Sequence, residues 1–357
     1  MTIGLLKEPA HETRVSLLPE AVLTLTKKGI KLMVEDGAGI KSYNRNEDYE
    51  KAGATLASRN AVIAAADIIL SIQAPAESEI NLLSSKILIG VYQPLFNTEL
   101  VSKLKEANVK TFSLDMLPRT TRAQAMDVLS SQANIAGYKA VLTAANEYGR
   151  YLPMFMTAAG SIAPAKVMIL GAGVAGLQAI ATAKRLGAVI EVFDTRPAVK
   201  EEVMSLGAKF IEVEGAADAS KAGGYAVEQS EDFMQRQKQR IADSIAKADI
   251  VITTAQIPGK KAPILITEEM ISAMRNGSVI IDLAAATGGN TPLTKNNETV
   301  MFNGVKIIGN SSLQSTMPSD ASKLYGKNVL NFLNLIISNE GKVNLNFEDD
   351  LVKGSYC

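Results

Sequence analysis

Cysteine, histidine and tryptophan are almost absent from this chain of 357 residues. The one cysteine is Cys357, the one histidine is His11, and there is no tryptophan. A disulfide framework needs at least two cysteines, so none can form within the chain. Zinc sites and Ser-His-Asp triads also depend on these side chains, and we expect no metal site. The shortage of cysteine fits a reducing compartment.

Excess charge and long apolar runs are missing as well. Lys and Arg number 37, Asp and Glu also number 37, and the formal net charge is zero. Such a chain lacks the basic field with which proteins hold nucleic acid. No stretch reaches the roughly 18 uncharged apolar residues of a membrane helix. We therefore expect a soluble chain that meets a membrane only through a partner.

Apolar runs alternate with helical patterns over most of the chain, which is the rhythm of α/β proteins with parallel sheets. A first series of strands is predicted at 32–35, 68–72, 87–91 and 110–114, with helices at 19–28 and 98–108. A second series of six strands is predicted at 167–170, 189–193, 210–213, 249–254, 278–283 and 306–308. The length exceeds that of one typical core. We therefore expect two Rossmann-like domains with parallel sheets around a cleft.

Two long helical patterns join these series, one at 123–148 and one at 318–338. We interpret both as connecting helices, the second of which returns the chain to the first domain. The expected domains are therefore 1–130 together with 318–357, and 131–317. The second of these domains is the one expected to bind a nucleotide.

The most informative motif is the turn Gly171-Ala172-Gly173-Val174-Ala175-Gly176, which lies between a predicted strand and a predicted helix. Gly171 permits a tight turn, Gly173 lets a pyrophosphate approach the backbone, and Gly176 lets helix and strand pack closely. The N-terminus of the helix adds free N–H groups and the positive end of its dipole. The alternative is a βαβ turn that binds no nucleotide.

A carboxylate follows the turn at the spacing typical of dinucleotide sites. Eighteen residues after Gly176 the next predicted strand ends in Asp194, followed by Thr195 and Arg196. A carboxylate there accepts hydrogen bonds from the adenosine ribose and repels a 2′-phosphate, which favours NAD over NADP. Arg196 leaves NADP open, because an arginine can accommodate that phosphate.

Two further segments are candidates for contact with a ligand. Segment 214–225 is rich in small residues and ends in Tyr225, which is typical of a lid or of a solvent loop without function. Segment 118–130 is dense in polar groups that can grip an amide, a ribose or a phosphate. It is also compatible with a capped helix start.

Together with the glycine turn, the pattern Arg119…Gln124…Asp127…Ser130 resembles the nicotinamide-side loop of the NAD(H)-binding component of proton-translocating NAD(P) transhydrogenases. The resemblance continues through Asp194-Thr195-Arg196, Gly223-Gly224-Tyr225 and residues 253–260, and it covers essentially the whole chain.

This resemblance implies direct hydride transfer from NADH on this chain to NADP⁺ on a partner domain, coupled to proton movement through a membrane domain. It implies a cytoplasmic homodimer that is peripheral to the inner membrane through partner subunits. It assigns the positioning of the nicotinamide, and hence catalysis, to Arg119, Gln124, Asp127 and Ser130. The other cofactor-binding residues that it implies are Tyr138, Gly171, Gly173, Val174, Ala175, Gly176, Asp194, Thr195, Arg196, Gly224, Tyr225, Gln237, Ala255 and Gln256.

Alanine dehydrogenases are the nearest rival, since they share the fold and the opening motif that contains Glu8 and Arg14. They need a lysine, a histidine and an aspartate, for which this chain has Gln73, Pro94 or its neighbour, and Ala286. Amino-acid oxidation requires a general acid and base, whereas hydride transfer between two nicotinamides requires only positioning. We therefore favour transhydrogenation. An alanine-dehydrogenase-like oxidoreductase and a non-catalytic NAD-binding module remain as alternatives, and Arg14 is expected to form a structural salt bridge.

Overall fold

The structure of the chain, a computed structural model, describes residues 1–213, 230–338 and 340–357. The chain divides into two compact units, Met1–Gln132 with Gln314–Cys357 (unit 1) and Ala133–Leu313 (unit 2). Each unit contains its own sheet of mainly parallel strands, which confirms the predicted α/β fold. None of the helices in the described ranges is long and apolar enough to cross a membrane.

The sheets are built from fifteen short strands. The strands are β1 (Thr2–Leu5), β2 (Lys31–Glu35), β3 (Thr55–Ala57), β4 (Ile68–Leu70), β5 (Ile87–Gly90), β6 (Lys110–Ser113), β7 (Phe155–Thr157), β8 (Gly160–Ile162), β9 (Lys166–Leu170), β10 (Val189–Phe193), β11 (Lys209–Phe210), β12 (Ile250–Thr253), β13 (Val279–Asp282), β14 (Thr299–Phe302) and β15 (Val305–Ile308). Unit 1 has the order β3-β2-β1-β4-β5-β6, and all of its strand pairs are parallel. Unit 2 has the order β11-β10-β9-β12-β13-β15-β14, in which only β14 and β15 pair antiparallel. Strands β7 and β8 form a separate hairpin.

Helices follow most of the strands. The α-helices are α1 (Pro19–Thr26), α2 (Asn46–Lys51), α3 (Arg59–Ala65), α4 (Thr98–Glu106), α5 (Val128–Glu147), α6 (Val174–Arg185), α7 (Lys200–Ser205), α8 (Glu231–Ile245), α9 (Glu268–Ser272), α10 (Pro318–Ile336) and α11 (Asp350–Ser355). Short 3-10 turns include Thr121–Met126 and Ala285–Thr287.

Each main sheet is covered by apolar side chains on both faces, as parallel sheets require. In β9, Val167 and Ile169 pack into one core of unit 2, whereas Met168 and Leu170 pack into another. Strand β4 alternates in the same way between the two cores of unit 1. The continuous apolar runs of the sequence therefore mark strands that are buried on both sides.

Three details differ from the sequence-based expectation. The predicted helix at 123–148 is wrong at its start, because α5 begins at Val128, after a 3-10 turn and a break at Asp127. The predicted strand at 210–213 ends at Phe210. The second sheet has seven strands rather than six, because β14 adds an antiparallel edge.

Candidate functional site

The strand order of unit 2 places a crevice at the carboxyl ends of β9 and β12. Strand β10 lies on one side of β9 and β12 lies on the other, so the connections leave in opposite directions at this point. Ligands of open α/β sheets bind at such a switch point. The glycine turn 171–176 follows β9, and Thr254, Ala255 and Gln256 follow β12.

Each glycine of the turn meets a different physical requirement. Gly171 has a φ of +104°, and a Cβ on it would lie 2.4 Å from the hydroxyl oxygen of Thr254. A Cβ on Gly176 would lie 1.9 Å from the carbonyl oxygen of Gly171, so helix and strand could not approach as they do. Around Gly173 a Cβ would meet no atom within 4 Å. The turn is therefore tight on its inner side and leaves open space beside Gly173, which fits a pyrophosphate.

The N-terminus of α6 faces this open space. Gly173 is the N-cap residue, and it accepts the N–H of Leu177 at 2.9 Å without any side-chain cap. The first N–H groups of a helix lack partners within the helix and carry its positive dipole end. Helix α5 also packs on the turn, since a Cβ on Gly137 would lie 2.1 Å from the carbonyl oxygen of Ala175. Sequence reasoning missed Gly137, although its place next to Tyr138 in the family pattern was a signal.

Asp194 joins the end of β10 to the glycine turn. Its Oδ2 accepts hydrogen bonds from the N–H of Ala172 at 2.7 Å and from Nη2 of Arg196 at 2.8 Å. Its Oδ1 accepts from the N–H and the Nε of Arg196, at 2.8 and 2.9 Å. The hydrogen bond to Asp194 is the main reason why the pKa of Arg196 is raised. All four lone pairs of the carboxylate are therefore engaged, and a ribose hydroxyl would have to replace one of these donors.

The end of β12 is fixed from behind. The Thr254 hydroxyl donates to the carbonyl of Gly171 at 3.1 Å, and the Gln256 Nε2 donates to the carbonyl of Leu283 at 2.9 Å. The backbone N–H of Ala255 donates to Oδ1 of Asn290 at 3.1 Å. Ala255 is half-buried and Gln256 is exposed, so this strand end is anchored by polar bonds and still reaches the surface of the crevice.

Unit 1 carries the polar loop at 119–130. Asp127 lies just before α5, and its two carboxylate oxygens accept from the N–H of Ser130 at 2.9 Å and from the Ser130 hydroxyl at 2.6 Å. This is the geometry of a helix N-cap, and it explains why the helix begins at Val128. The structure thus brings Asp127 and Ser130 together, while Arg119 and Gln124 are exposed on the 3-10 turn and its approach.

Helix α10 holds the polar loop in place. The carbonyl of Ala125 accepts hydrogen bonds from the amides of Asn328 and Asn331, at 2.9 and 3.0 Å. Near the C-terminus, Arg122 forms ion pairs with Asp349 and Asp350. The loop is therefore fixed at both its middle and its side by unit 1 itself.

The other predicted contact residues are scattered over unit 2. Tyr138 lies on α5 with about a third of its surface exposed, Thr195 is half-buried between Asp194 and Arg196, and Gln237 is half-buried on α8. Gly224 and Tyr225, with the rest of the predicted lid, lie outside the described residues. Within the described ranges, no group of three or more His, Cys, Asp or Glu side chains could hold a metal ion.

The strand order of unit 1 gives it a switch point as well, between β1 and β4. Here the side chain of Glu8, only 6% exposed, accepts the N–H of Ile72 at 2.6 Å and the N–H of Gln73 at 3.0 Å. Burial raises the pKa of Glu8 to about 7, against the effect of these two hydrogen bonds.

A buried ion pair lies beside Glu8. Arg14 binds both carboxylate oxygens of Glu12, at 2.8 and 2.6 Å, and its Nη1 donates to Gln132 at 2.8 Å. Burial raises the pKa of Glu12, but the hydrogen bonds and charge of Arg14 outweigh it and lower that pKa to about 2. The predicted structural salt bridge of Arg14 is confirmed.

Comparison with known proteins places these features in a family. Models of the N-terminal and C-terminal domains of alanine dehydrogenase/PNT match residues 4–136 and 140–357. An NAD(P) transhydrogenase subunit alpha protein of Rhodospirillum rubrum is 44% identical over 354 residues, which cover 96% of this chain and 92% of that protein.

Solved structures agree with this assignment. The crystal structure of a transhydrogenase from Sinorhizobium meliloti is 44% identical with a TM-score of 0.91, and the match covers 100% of this chain and 98% of that one. An L-alanine dehydrogenase structure is 25% identical with a TM-score of 0.82, and the match covers 99% of this chain and 94% of that one. The chain therefore belongs to the alanine dehydrogenase/PNT family and is a homologue of the NAD(P) transhydrogenase alpha subunits.

Proposed function

We propose that this chain is the NAD(H)-binding subunit of a proton-translocating NAD(P)⁺ transhydrogenase, an oxidoreductase that works only with partner subunits. The observation that carries the proposal is the glycine turn, open at Gly173 and bounded by Asp194, in a chain 44% identical to a transhydrogenase alpha subunit. The partners are a domain that binds NADP(H) and a membrane domain that translocates protons. The chain would then be cytoplasmic and peripheral to the inner membrane through these partners.

The residues of unit 2 fit NAD(H). The N-terminus of α6 would bind the pyrophosphate, because its N–H groups and dipole favour an anion. Asp194 would lie beside the adenosine ribose, and its carboxylate disfavours a 2′-phosphate. The positive charge of Arg196 is paired with that carboxylate, which supports NAD over NADP on this chain.

The polar loop of unit 1 would position the nicotinamide and its ribose. When bound, NADH supplies a hydride, and transfer between two nicotinamides requires alignment rather than a proton donor. Gln124 and Arg119 offer exposed polar groups for this task, and the hydrogen bonds between Asp127 and Ser130 hold the serine hydroxyl in one orientation.

The same reasoning weakens the alanine dehydrogenase alternative. Gln73 carries an amide that donates to Glu12 at 3.3 Å, where that reaction needs an ammonium group. Pro94 and Ala286 have no group that exchanges a proton at all. Oxidation of an amino acid requires such groups, so their replacement supports transhydrogenation.

We also propose that the chain is a homodimer that uses the β7–β8 hairpin of unit 2. The rings of Tyr151 and Phe155 stack with centroids 4.5 Å apart, and Met156 is 76% exposed. Residues 151–162 contain no charged side chain. A two-stranded hairpin is marginal alone, and an exposed apolar patch is typical of a protein contact. A second copy can cover it symmetrically.

The dimer proposal is tested by sedimentation velocity. Met156→Asp should convert the dimer to a monomer, because the carboxylate would be buried in an apolar contact. The control is Met301→Asp, at a methionine of β14 that is 59% exposed, and it should leave the dimer intact. A monomeric wild type, or a Met156→Asp variant that stays dimeric, contradicts the proposal.

A two-component assay tests the transhydrogenase function. The purified chain, NADH and a separately purified NADP(H)-binding domain of a transhydrogenase are mixed with an NADP⁺ analogue whose reduction is followed by absorbance. Reduction should require both proteins and NADH. Tight NADH binding without transfer refutes the proposal, and formation of NADH from alanine and NAD⁺ by the chain alone would instead support the amino-acid dehydrogenase.

A further inference from the structure

Asn290 is a fully buried amide that ties together the segments following β12 and β13. Its Nδ2 donates to the carbonyl of Ala255 at 2.9 Å, and its Oδ1 accepts the N–H of Ala255 at 3.1 Å. The same Nδ2 donates to the carbonyl of Pro263 at 2.8 Å. The side chain therefore pairs with the backbone of Ala255 as a neighbouring strand would.

The backbone of Asn290 is fixed as firmly as its side chain. Its N–H donates to Oδ2 of Asp282 at 2.7 Å, and its carbonyl accepts the N–H groups of Leu265 and Ile266, at 2.9 and 3.1 Å. Asp282 is fully buried, and it also accepts the hydroxyl of Thr294 at 2.6 Å. Fully satisfied buried networks of this kind rigidify the backbone that they connect.

The turn that delivers Asn290 to this position requires glycine. Gly289 has a φ of +78°, and a Cβ on it would lie 2.8 Å from Oδ2 of Asp282. The chain thus leaves β13 and returns at once to the carboxylate at the end of that strand.

The segment held by Asn290 borders the glycine turn. A Cβ on Gly171 would lie 3.6 Å from the backbone nitrogen of Ala255. Ala255 and Gln256 are two of the residues expected to contact the cofactor, yet neither side chain fixes its own backbone against the turn. We propose that Asn290 is a positioning residue for NAD(H), which holds the backbone of Ala255 and Gln256 beside the glycine turn and so sets the affinity for the dinucleotide.

This inference rests on the proposed function, because it assumes that unit 2 binds NAD(H). The test is Asn290→Asp in the full chain. The variant keeps the shape of the side chain but has no N–H, so an acceptor would face the carbonyls of Ala255 and Pro263. We expect the Kd for NADH, measured by NADH fluorescence, to rise about tenfold or more.

The matched control is Asp249→Asn. Asp249 is a buried residue just before β12, at the opposite end of the sheet, and it accepts the N–H of Lys166 at 2.9 Å. This control should lower the melting temperature and leave the Kd within about twofold. An equal loss of affinity in both variants means that general destabilisation explains the effect, and it overturns the inference.

The remaining outcomes separate the two proposals. Failure of the wild type to bind NADH contradicts the proposed function, whereas a folded Asn290→Asp variant with the wild-type Kd overturns the positioning role alone. Should that variant not fold, amide hydrogen exchange of the wild type decides. NADH should slow exchange across residues 254–266, and unchanged exchange there overturns the inference.

Discussion

Replacing Glu8 by glutamine should remove a pH dependence from the stability of unit 1. The folded unit holds the proton of Glu8 up to a pKa of about 7, whereas the ordinary value is 4.5. Between these values the folded state binds one proton more than the unfolded state, so the free energy of unfolding falls as pH rises. The difference corresponds to about 3 kcal/mol, fully lost above pH 7.

Glutamine cannot ionise, so this slope should disappear in Glu8→Gln. At pH 5 the variant should be less stable by about 1–2 kcal/mol, because its amide presents a donor to one of the two backbone N–H groups of Ile72 and Gln73. The neighbouring Glu12 has a pKa of about 2, so it contributes stability that is lost only as pH falls below 4.5. The range from pH 5 to 8 therefore isolates Glu8.

Urea-dependent amide hydrogen exchange of peptides from β1 and β4 measures this effect in unit 1, since a chain of two units need not unfold in one step. Glu20→Gln, at an exposed glutamate of α1, is the control and should retain the wild-type slope. Equal slopes in the wild type and Glu8→Gln between pH 5 and 8 would refute the reasoning.

Three further predictions concern the cofactor site. Gly176→Ala should cost more than about 2 kcal/mol of stability and weaken NADH binding at least tenfold, since its Cβ would lie 1.9 Å from the carbonyl oxygen of Gly171; calorimetry and NADH titration check this, and a normal melting temperature contradicts it. Asp194→Ala should weaken NADH about tenfold and reduce the preference over NADPH, because the variant leaves the charge of Arg196 without its carboxylate; an unchanged Kd ratio for the two dinucleotides removes Asp194 from the ribose site. Gln124→Ala should slow hydride transfer at least tenfold and change the Kd for NADH less than about twofold, as single-turnover kinetics and fluorescence titration would show; a comparable loss of binding contradicts a role in aligning the nicotinamide.

Local sequence was a good guide where strands are buried on both faces. Residues 189–193 are bounded by Gly187 and Asp194, and the predicted strand agrees with β10 at both ends. Strand β1 escaped prediction because its short apolar run is followed at once by Lys7 and Glu8. Strand β14 is exposed on alternate residues, and only its pairing with β15 explains why it forms.

The break before α5 was readable but was overlooked. Asp127 and Ser130 stand three residues apart, which is the spacing of an N-cap side chain and the N–H that it accepts. Their interpretation as ligand contacts hid their structural role, and the two roles are compatible, because the hydrogen bonds fix the serine hydroxyl. Propensity alone favoured one helix through 123–148, and capping chemistry decided against it.

The candidate site was only partly predictable. The glycine turn and Asp194 follow a spacing that the sequence displays directly. The engagement of all four Asp194 lone pairs depends on a side-chain conformation of Arg196 that no spacing predicts. Asn290 was invisible for a stronger reason, since its partners Ala255 and Pro263 lie about thirty residues away in the sequence and meet it only because β12 and β13 are neighbours.

The shared strand order of the two sheets bears on how many dinucleotides one chain can carry. At the switch point of unit 2, Gly173 leaves the backbone open to an anion from outside. At that of unit 1, the carboxylate of Glu8 already occupies the backbone N–H groups of Ile72 and Gln73. Unit 1 thus carries its own internal anion in the place where a Rossmann-like sheet would otherwise receive one. The doubled architecture therefore implies a stoichiometry of one dinucleotide per polypeptide, with the second crevice converted into a structural joint.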